Sequence, residues 1–248
     1  MAPPSLAEQA LAKVNLTLQI LGKRADGYHG IESLVVFARV GDVVTLRVGA
    51  ELALSVRGPT ATQTGAIADN LVLKAARALA AVAPGLTLGR FDLTKELPAG
   101  AGLGGGSADA AAALRLLARA NGIGLNEPRV LDAAHKTGAD VPVCLDPRPR
   151  VMRGIGEILS EPLDLPKLPA VILYPGVSMG TKGVFEALGL SPGEWRESRS
   201  LPALTSIKRE ALIALLDRHG NDLEPAAVAM APVIAEVVAA LRALPGCQ

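Results

Sequence analysis

A run of glycines between Leu97 and Ser107 is the segment of this chain best suited to hold an anion. Its sequence is LPAGAGLGGGS. Glycine permits positive φ angles and close approach of the backbone, so several amide N–H groups can converge on one negative group. The alanine-rich stretch SADAAAALRLLARA follows directly and predicts a helix with Ser107 as its N-cap. Such a helix points its positive end at the same place, which is the geometry that a polyphosphate requires.

A flexible linker is the alternative interpretation of this glycine run. Linkers seldom end directly on a well-capped helix, which favours phosphate binding. The segment is not a Walker A loop, because no Gly-Lys-Ser/Thr sequence follows the glycines. Nor is it a Rossmann fingerprint, because no acidic residue ends a following strand at the expected spacing.

The segments on either side of this loop, which must position it, show two spacings of hydrophobic residues. Strict alternation predicts strands, and a 3.6-residue repeat predicts helices. Because strands and helices segregate in the first half of the chain, the predicted fold class is α+β. Asp69 or Asn70 is expected to cap the first helix, Asn126 the third, and Gly41-Asp42 to form a turn. Strands are predicted over residues 11–20, 33–40, 42–48, 51–57, 86–97 and 169–175, with a loop at 22–30 and Cys144 in a further buried strand. Helices are predicted over residues 71–83, 107–120, 126–137, 181–188, 206–219 and 225–244.

Composition narrows the class of partner. The net charge is +1, and the aromatic residues are three Phe, two Tyr and one Trp, which argues against a nucleic-acid partner and favours a small molecule. The chain begins without a signal-peptide pattern and has no apolar run of membrane-spanning length, so we expect a cytoplasmic protein with no membrane partner. The spacing of Cys144 and Cys247 predicts neither a disulfide nor a zinc site. A proline-rich stretch between about 146 and 170 predicts two domains, residues 1–152 and 153–248.

Several segments carry a resemblance to a known family. PAGAGLGGGSADAA resembles the glycine motif of the GHMP kinase superfamily. Within that superfamily, AKVNLTLQILGKRADGYHGIESL, TGADVPVCL and GIGEIL are similar to segments of the 4-diphosphocytidyl-2-C-methyl-D-erythritol kinases. The similarity runs across residues 12–188. It implies a two-domain α+β fold with an N-terminal ribosomal-protein-S5-like domain and a C-terminal ferredoxin-like α/β domain.

The resemblance implies a catalytic pair. The aspartate of the Gly-Ala-Asp-Val-Pro segment is Asp140 here, and the lysine of the first strand is Lys13. A carboxylate near a hydroxyl can accept its proton as a phosphoryl group arrives, and an ammonium group can offset the charge on that group. A structural ion pair is the alternative interpretation of these two residues.

The resemblance also implies a substrate site for a cytidine diphosphate compound. Asn15 shares the strand face of Lys13, and the family uses such a residue near the substrate. Tyr28 and His29 match the pair that holds the cytosine ring, and Phe185 matches a second aromatic on the base. A surface histidine at His29 and a core aromatic at Phe185 are the alternatives.

The nucleotide implied by the resemblance is ATP with Mg²⁺, and no dedicated metal cage is predicted; the magnesium ion is expected to arrive with ATP. Asp109 is expected to favour the start of the loop helix. The residues expected to hold ATP are Asn70, Lys95, Pro98, Gly100, Gly102, Leu103, Gly104, Gly105, Gly106 and Ser107.

One feature departs from the family pattern. Members carry a third glycine motif after the long C-terminal helix, and this sequence stops at Pro245-Gly246-Cys247-Gln248. The sequence is therefore expected to be truncated or to lack that motif.

Three alternatives to the kinase stay open: another GHMP kinase acting on homoserine, mevalonate or a sugar, a non-catalytic nucleotide-binding chain, and, least favoured, a nucleic-acid binder. The oligomeric state is expected to be a monomer or a homodimer.

Overall fold

The computed structural model describes residues 5–247 and has a mixed α+β fold, as predicted. The strands are β1 (Ser5–Asn15), β2 (Gln19–Lys23), β3 (His29–Val48), β4 (Ala53–Arg57), β5 (Gly89–Thr94), β6 (Arg150–Gly154) and β7 (Ile158–Leu159). The helices are α1 (Leu71–Val82), α2 (Gly105–Ala120), α3 (Pro128–Thr137), α4 (Val141–Leu145), α5 (Thr181–Glu186), α6 (Arg209–His219), α7 (Glu224–Met230) and α8 (Val233–Arg242).

The chain forms two compact units that are not consecutive stretches of sequence. Unit 1 holds the residues up to Val14, Phe37–Ala99 and Leu103–Pro147. Unit 2 holds Asn15–Val36, Gly100–Gly102 and the residues from Arg148 onward. The prediction of two consecutive domains did not include this exchange of segments.

Unit 1 contains helices α1 to α4 and the part of the sheet that is built on the later half of β3. The later part of β3 pairs antiparallel with β5, from Val43 opposite Thr94 to Val48 opposite Gly89. β4 runs parallel to β5, and β1 pairs with β3. Helix α2 packs against α1 and α4; its alanines 108, 110–113 and 118 are buried, and such small side chains let neighbouring helices approach closely.

Unit 2 is built on the first part of β3. β2 pairs antiparallel with it, from Gln19 opposite Glu32 to Lys23 opposite His29. β6 also pairs with it and then with β7. The core here is aliphatic and is formed by Leu34, Val151, Leu204, Leu212 and Leu215.

Two strand predictions are wrong about where the chain turns. The predicted strand 11–20 is divided into β1 and β2, because residues 16–18 leave the ladder. The predicted turn at Gly41-Asp42 lies inside the 20-residue strand β3. A Cβ at position 41 would overlap the carbonyl oxygen of Ala10, so this glycine serves close approach of a neighbouring strand instead of a turn.

Two other predictions assigned strands to segments that are not strands. The segment around Cys144 is the short helix α4, with Pro142 in its first turn, where proline is well tolerated. Residues 169–175 form no regular element, and Val171 is 73% exposed. An apolar run becomes a strand only where another strand pairs with it, and none of the strands within residues 5–247 pairs with this run.

Helix boundaries were predicted less well than helix positions. α2 begins two residues earlier than predicted, with Gly104 as its N-cap, so Ser107 lies within the first turn. The N-cap of α3 is Glu127 and not Asn126. The predicted helix 225–244 is two helices, α7 and α8, because Pro232 cannot continue the hydrogen-bonding pattern of a helix interior.

Candidate functional site

Lys13 and Asp140, the predicted catalytic pair, are in direct contact. The Lys13 Nζ atom lies 2.9 Å from Asp140 Oδ2. The lysine side chain is 5% exposed, whereas the aspartate side chain is 35% exposed. The ammonium group is therefore held inside the protein, while the carboxylate remains open to a molecule from solvent. This asymmetry suits a fixed cation that orients an accessible base.

The end of the glycine loop fixes Lys13. The backbone N–H of Lys13 donates to the carbonyl oxygen of Leu103 at 2.9 Å. Gly104 has φ 62°, in the left-handed region. A Cβ at Gly104 would lie 3.1 Å from Lys13 Cβ and 3.3 Å from Lys13 Cε. Glycine therefore satisfies two requirements here, the positive φ and the close approach of the lysine chain. Asp140 is positioned as the N-cap residue of α4.

Most of the other residues predicted to hold ATP also belong to unit 1, whereas Gly100 and Gly102 belong to unit 2. Pro98 and Leu103 lie in the loop, and Gly105, Gly106 and Ser107 form the first turn of α2. Gly102, in unit 2, has φ 74°, in the left-handed region that favours glycine, and a Cβ at this position would meet open space. In unit 2, the carbonyl of Gly100 accepts a hydrogen bond from Met179 N–H at 3.1 Å.

Neighbouring segments of unit 1 support the loop entrance. Thr60 Oγ1 donates to the carbonyl oxygen of Leu97 at 2.9 Å, and the N–H of Ala99 donates to Gln63 Oε1 at 3.0 Å. Of the two predicted caps, Asp69 and Asn70, it is Asn70 that caps α1, with its side-chain oxygen accepting from Val72 N–H at 2.9 Å. Its side-chain oxygen is therefore used within the protein, and its amide N–H₂ group is the part suited to a nucleotide contact.

Lys95 belongs to a buried cluster that sequence analysis did not find. Its Nζ atom donates to Asp42 Oδ2 at 2.5 Å and to Asp109 Oδ2 at 2.9 Å. Asp109 was interpreted as an aid to the helix start, but it lies beyond the first turn of α2 and pairs with Lys95. A sequence signal for two of the three residues did exist: Asp42 is in phase with the buried Val44 and Leu46, and Lys95 with Phe91 and Leu93. Opposite charges at inward positions of two neighbouring strands indicate a buried ion pair.

Protonation of this cluster follows from its burial. Burial disfavours a charged carboxyl group and raises the pKa of Asp109 to about 7, despite the neighbouring Lys95 cation. Burial also opposes the charge on Lys95, but the carboxylates of Asp109 and Asp42 outweigh it, so the pKa of Lys95 is raised. One ammonium group thus faces two carboxyl groups. Asp109 takes up a proton near neutral pH, because burial raises its pKa.

Unit 2 brings together two of the residues predicted to hold a base. The ring centroids of His29 and Phe185 are 5.0 Å apart and the planes are tilted by 36°. Burial, with a smaller contribution from Lys23, lowers the pKa of His29, so the imidazole is neutral at neutral pH. Its Nε2 atom is buried and has no hydrogen-bond partner among the described residues. A buried polar atom of this kind is suited to a ligand that supplies the missing hydrogen bond.

Tyr28 and Asn15 complete the predicted substrate set. Tyr28 is 58% exposed, and its backbone carbonyl accepts from Arg24 N–H at 2.7 Å, which closes the tip of the β2–β3 hairpin. Asn15 ends β1. Its Oδ1 atom is buried and lacks a hydrogen-bond donor within the described part of the chain.

Two further observations concern the reactivity of Cys144 and the length of the apolar helices. Burial raises the pKa of the Cys144 thiol to about 12, so this cysteine is not a nucleophile at neutral pH. Across residues 5–247, no helix has the length and apolar character needed to cross a membrane.

Comparisons with known proteins concern the family and the fold of this chain. The GHMP kinases N terminal domain family matches residues 70–146, which include the glycine loop and Asp140. The chain is 54% identical over 245 residues to the 4-diphosphocytidyl-2-C-methyl-D-erythritol kinase of Methylorubrum extorquens, covering 98% of this chain and 84% of that relative. It is 55% identical over 241 residues to the kinase of the same name from Xanthobacter autotrophicus, covering 96% of this chain and 82% of that relative.

A solved structure gives the same result for the fold. The crystal structure of a 4-(cytidine 5'-diphospho)-2C-methyl-D-erythritol kinase superposes with a TM-score of 0.75 at 33% sequence identity. The superposition covers 96% of this chain and 83% of that chain. The GHMP kinase fold implied by the glycine motif is therefore confirmed.

Proposed function

The chain belongs to the 4-diphosphocytidyl-2-C-methyl-D-erythritol kinase family, and we propose that it transfers the γ-phosphoryl group of ATP to the 2-hydroxyl of 4-diphosphocytidyl-2-C-methyl-D-erythritol. This reaction is a step of non-mevalonate isoprenoid biosynthesis. The observation that carries the proposal is the Lys13–Asp140 pair at 2.9 Å, held by the end of a glycine loop.

The proposed mechanism assigns one role to each member of the pair. The substrate hydroxyl oxygen attacks the γ-phosphorus, the bond from that phosphorus to the β,γ-bridging oxygen breaks, and ADP leaves with the electron pair. Asp140 accepts the hydroxyl proton on a carboxylate oxygen, because its side chain is accessible from solvent. Lys13 keeps that carboxylate in place and offsets the negative charge of the transferring group.

The nucleotide is proposed to be bound as ATP with Mg²⁺. The start of α2 at Gly105 can supply amide N–H groups for the phosphates. The remaining loop residues and Asn70 are proposed to line the same site. The Asp140 carboxylate is exposed enough to approach a bound ion, and the ion would neutralise phosphate charge when bound.

The cytidine end of the substrate is proposed to contact unit 2. The unpaired His29 Nε2 atom can hydrogen-bond a cytosine edge. Phe185 is already in contact with the imidazole, and the exposed Tyr28 ring is available to stack on the base. The unpaired Asn15 Oδ1 atom can accept a hydrogen bond from a substrate hydroxyl. We further propose that the protein is cytoplasmic, that it is a monomer or a homodimer, and that it has no nucleic-acid partner.

The decisive experiment is ADP release with Mg-ATP and three acceptors offered in parallel: 4-diphosphocytidyl-2-C-methyl-D-erythritol, homoserine and mevalonate. Release with the first acceptor alone is the expected result. Release with homoserine or mevalonate instead would assign the chain another GHMP kinase activity and would leave Tyr28 and His29 without a base to bind. ATP binding without release for any acceptor would contradict the proposed reaction.

Asp140→Asn tests the role of the base. The amide cannot accept the proton, so kcat should fall by roughly two to four decades, while the dissociation constant of ATP stays close to that of the wild type. Asp132→Asn is a matched control, because Asp132 pairs with Lys136 at 2.7 Å on the surface of α3. Turnover of Asp140→Asn at the level of this control would remove Asp140 from the mechanism.

A further inference from the structure

Three charged side chains are buried together beside the glycine loop, apart from the Lys13–Asp140 pair. Asp42, Lys95 and Asp109 are 0%, 4% and 2% exposed. Lys95 donates one hydrogen bond to each aspartate. Three buried charges are costly to desolvate, and apolar residues of similar volume often stabilise a fold at least as well. The arrangement therefore calls for an explanation beyond stability.

The three residues connect the two ends of the loop. Asp42 Oδ1 accepts the backbone N–H groups of Glu96 and Leu97, at 2.6 and 2.9 Å, where the loop begins. Lys95 is the residue immediately before them. Asp109 lies on α2, the helix into which the loop leads. The cluster thus ties the incoming strand end to the outgoing helix through one ammonium group.

The fit at the end of the loop is close. A Cβ at Gly105 would lie 3.3 Å from Lys95 Nζ and 3.6 Å from Asp42 Oδ2. The first turn of α2 therefore rests directly on the cluster. A shift of Lys95 toward this turn would therefore press on the backbone at the start of the helix, whose amide groups are proposed to bind phosphate.

We propose that Asp42, Lys95 and Asp109 are positioning residues that hold the two ends of the glycine loop at the separation at which its amide groups bind the phosphates of ATP. This inference rests on the proposed function of the loop. It assigns Lys95 an indirect role, through the loop backbone, in place of the direct nucleotide contact that the family resemblance implied.

The two aspartates should respond differently to the same substitution. Asp42 uses both oxygens as acceptors, so in Asp42→Asn the amide N–H₂ group must face either the Lys95 ammonium or two backbone N–H groups. Asp109 uses only Oδ2, and its Oδ1 has no partner within the described residues. In Asp109→Asn the amide oxygen can keep the bond to Lys95, and the N–H₂ group takes the unpaired position.

The test measures ATP binding and steady-state kinetics for the two variants. Asp42→Asn should raise the ATP dissociation constant and the KM for ATP by about tenfold or more, the effect expected for loss of a charged hydrogen bond. The KM for the acceptor should change less than about twofold. Asp109→Asn should stay within about threefold of the wild type for ATP. Asp92→Asn is the control, because Asp92 pairs with Arg47 across the same two strands, and it should match the wild type.

Stability must be measured alongside, because a purely structural cluster would lower Tm without changing ATP affinity. The increase in Tm caused by Mg-ATP reports affinity in each folded variant and does not require turnover. A folded Asp42→Asn with wild-type ATP affinity would overturn the proposal. If Asp42→Asn does not fold, Asp109→Ala replaces it, because it removes the acceptor that Asp109→Asn keeps. Equal ATP affinity of those two variants would also overturn the proposal.

The same measurements separate this inference from the proposed function. Mg-ATP binding by the wild type without ADP release would contradict the proposed reaction but would leave the comparison of ATP affinities intact. Wild-type ADP release together with unchanged ATP affinity in Asp42→Asn would support the reaction and refute the positioning role.

Discussion

Replacing Gly104 by alanine perturbs Lys13 without altering any charged group. The new Cβ would lie 3.1 Å from Lys13 Cβ and 3.3 Å from its Cε. These contacts are too tight to be accommodated unless the lysine chain or the start of α2 moves by a few tenths of an ångström. Lys13 is only 4% exposed, so it has no free space in solvent to move into. The Lys13–Asp140 contact should therefore be displaced.

The expected magnitudes separate backbone strain from displacement of Lys13. An alanine in the left-handed region costs about 1–2 kcal/mol, partly offset by the loss of glycine entropy in the unfolded chain. Gly122→Ala is the matched control, because Gly122 has φ 64° and nothing within 4 Å of its Cβ position. Both variants should lose about 1 kcal/mol of stability. Gly104→Ala alone should lose about three- to tenfold in kcat, because a displacement near 1 Å costs about a hundredfold.

The assay is kcat at saturating Mg-ATP and acceptor, with the free energy of unfolding measured by urea denaturation. Saturation with ATP removes any contribution from weaker phosphate binding by the altered loop. Wild-type kcat in Gly104→Ala, together with the same stability loss as Gly122→Ala, would refute the argument that glycine at this position keeps Lys13 in register with Asp140.

Two further predictions concern the base site and the buried cluster. Tyr28→Ala should raise the KM for the cytidine substrate more than the KM for ATP, because the ring contributes ground-state binding; equal KM values in variant and wild type would make Tyr28 structural. Asp109 has an ordinary pKa of 3.8 and a folded pKa of about 7, so its contribution to stability is full below about pH 4 and is lost as the pH rises to about 7. Asp109→Asn lacks this loss, so its stability relative to the wild type should improve as the pH rises from 4 to 7, as measured by urea unfolding. Parallel pH profiles for the two proteins would contradict the raised pKa.

The sequence was sufficient where local chemistry alone determines the structure. Asp69 or Asn70 was predicted as the cap of the first helix, and Asn70 does cap α1, because an asparagine before a periodic apolar run satisfies a free N–H at a helix start. The contact between Lys13 and Asp140 was implied by motifs far apart in sequence, and spacing alone could not have given their distance of 2.9 Å. The contact between His29 and Phe185 depends on tertiary structure in the same way.

The errors arose where a residue type has two physical uses. Gly41 and Asp42 look like a turn, but one is a point of close approach between strands and the other is the acceptor of three hydrogen bonds. Residues 169–175 have the composition of a buried strand, yet pairing decides whether a strand forms. Such long-range requirements are not encoded in the local pattern.

The burial of Cys144 means that the rate at which a thiol reagent modifies it can report local opening of α4. Cys144 is buried in α4 and Cys247 is exposed. A thiol reagent should therefore modify Cys247 at once and Cys144 only when α4 detaches. Because α4 begins directly after Asp140, the slow labelling rate measures how often the segment carrying the proposed base opens. Ligands that bind only while this segment is closed should slow the labelling of Cys144. At a given concentration, a ligand that binds more tightly should slow it more.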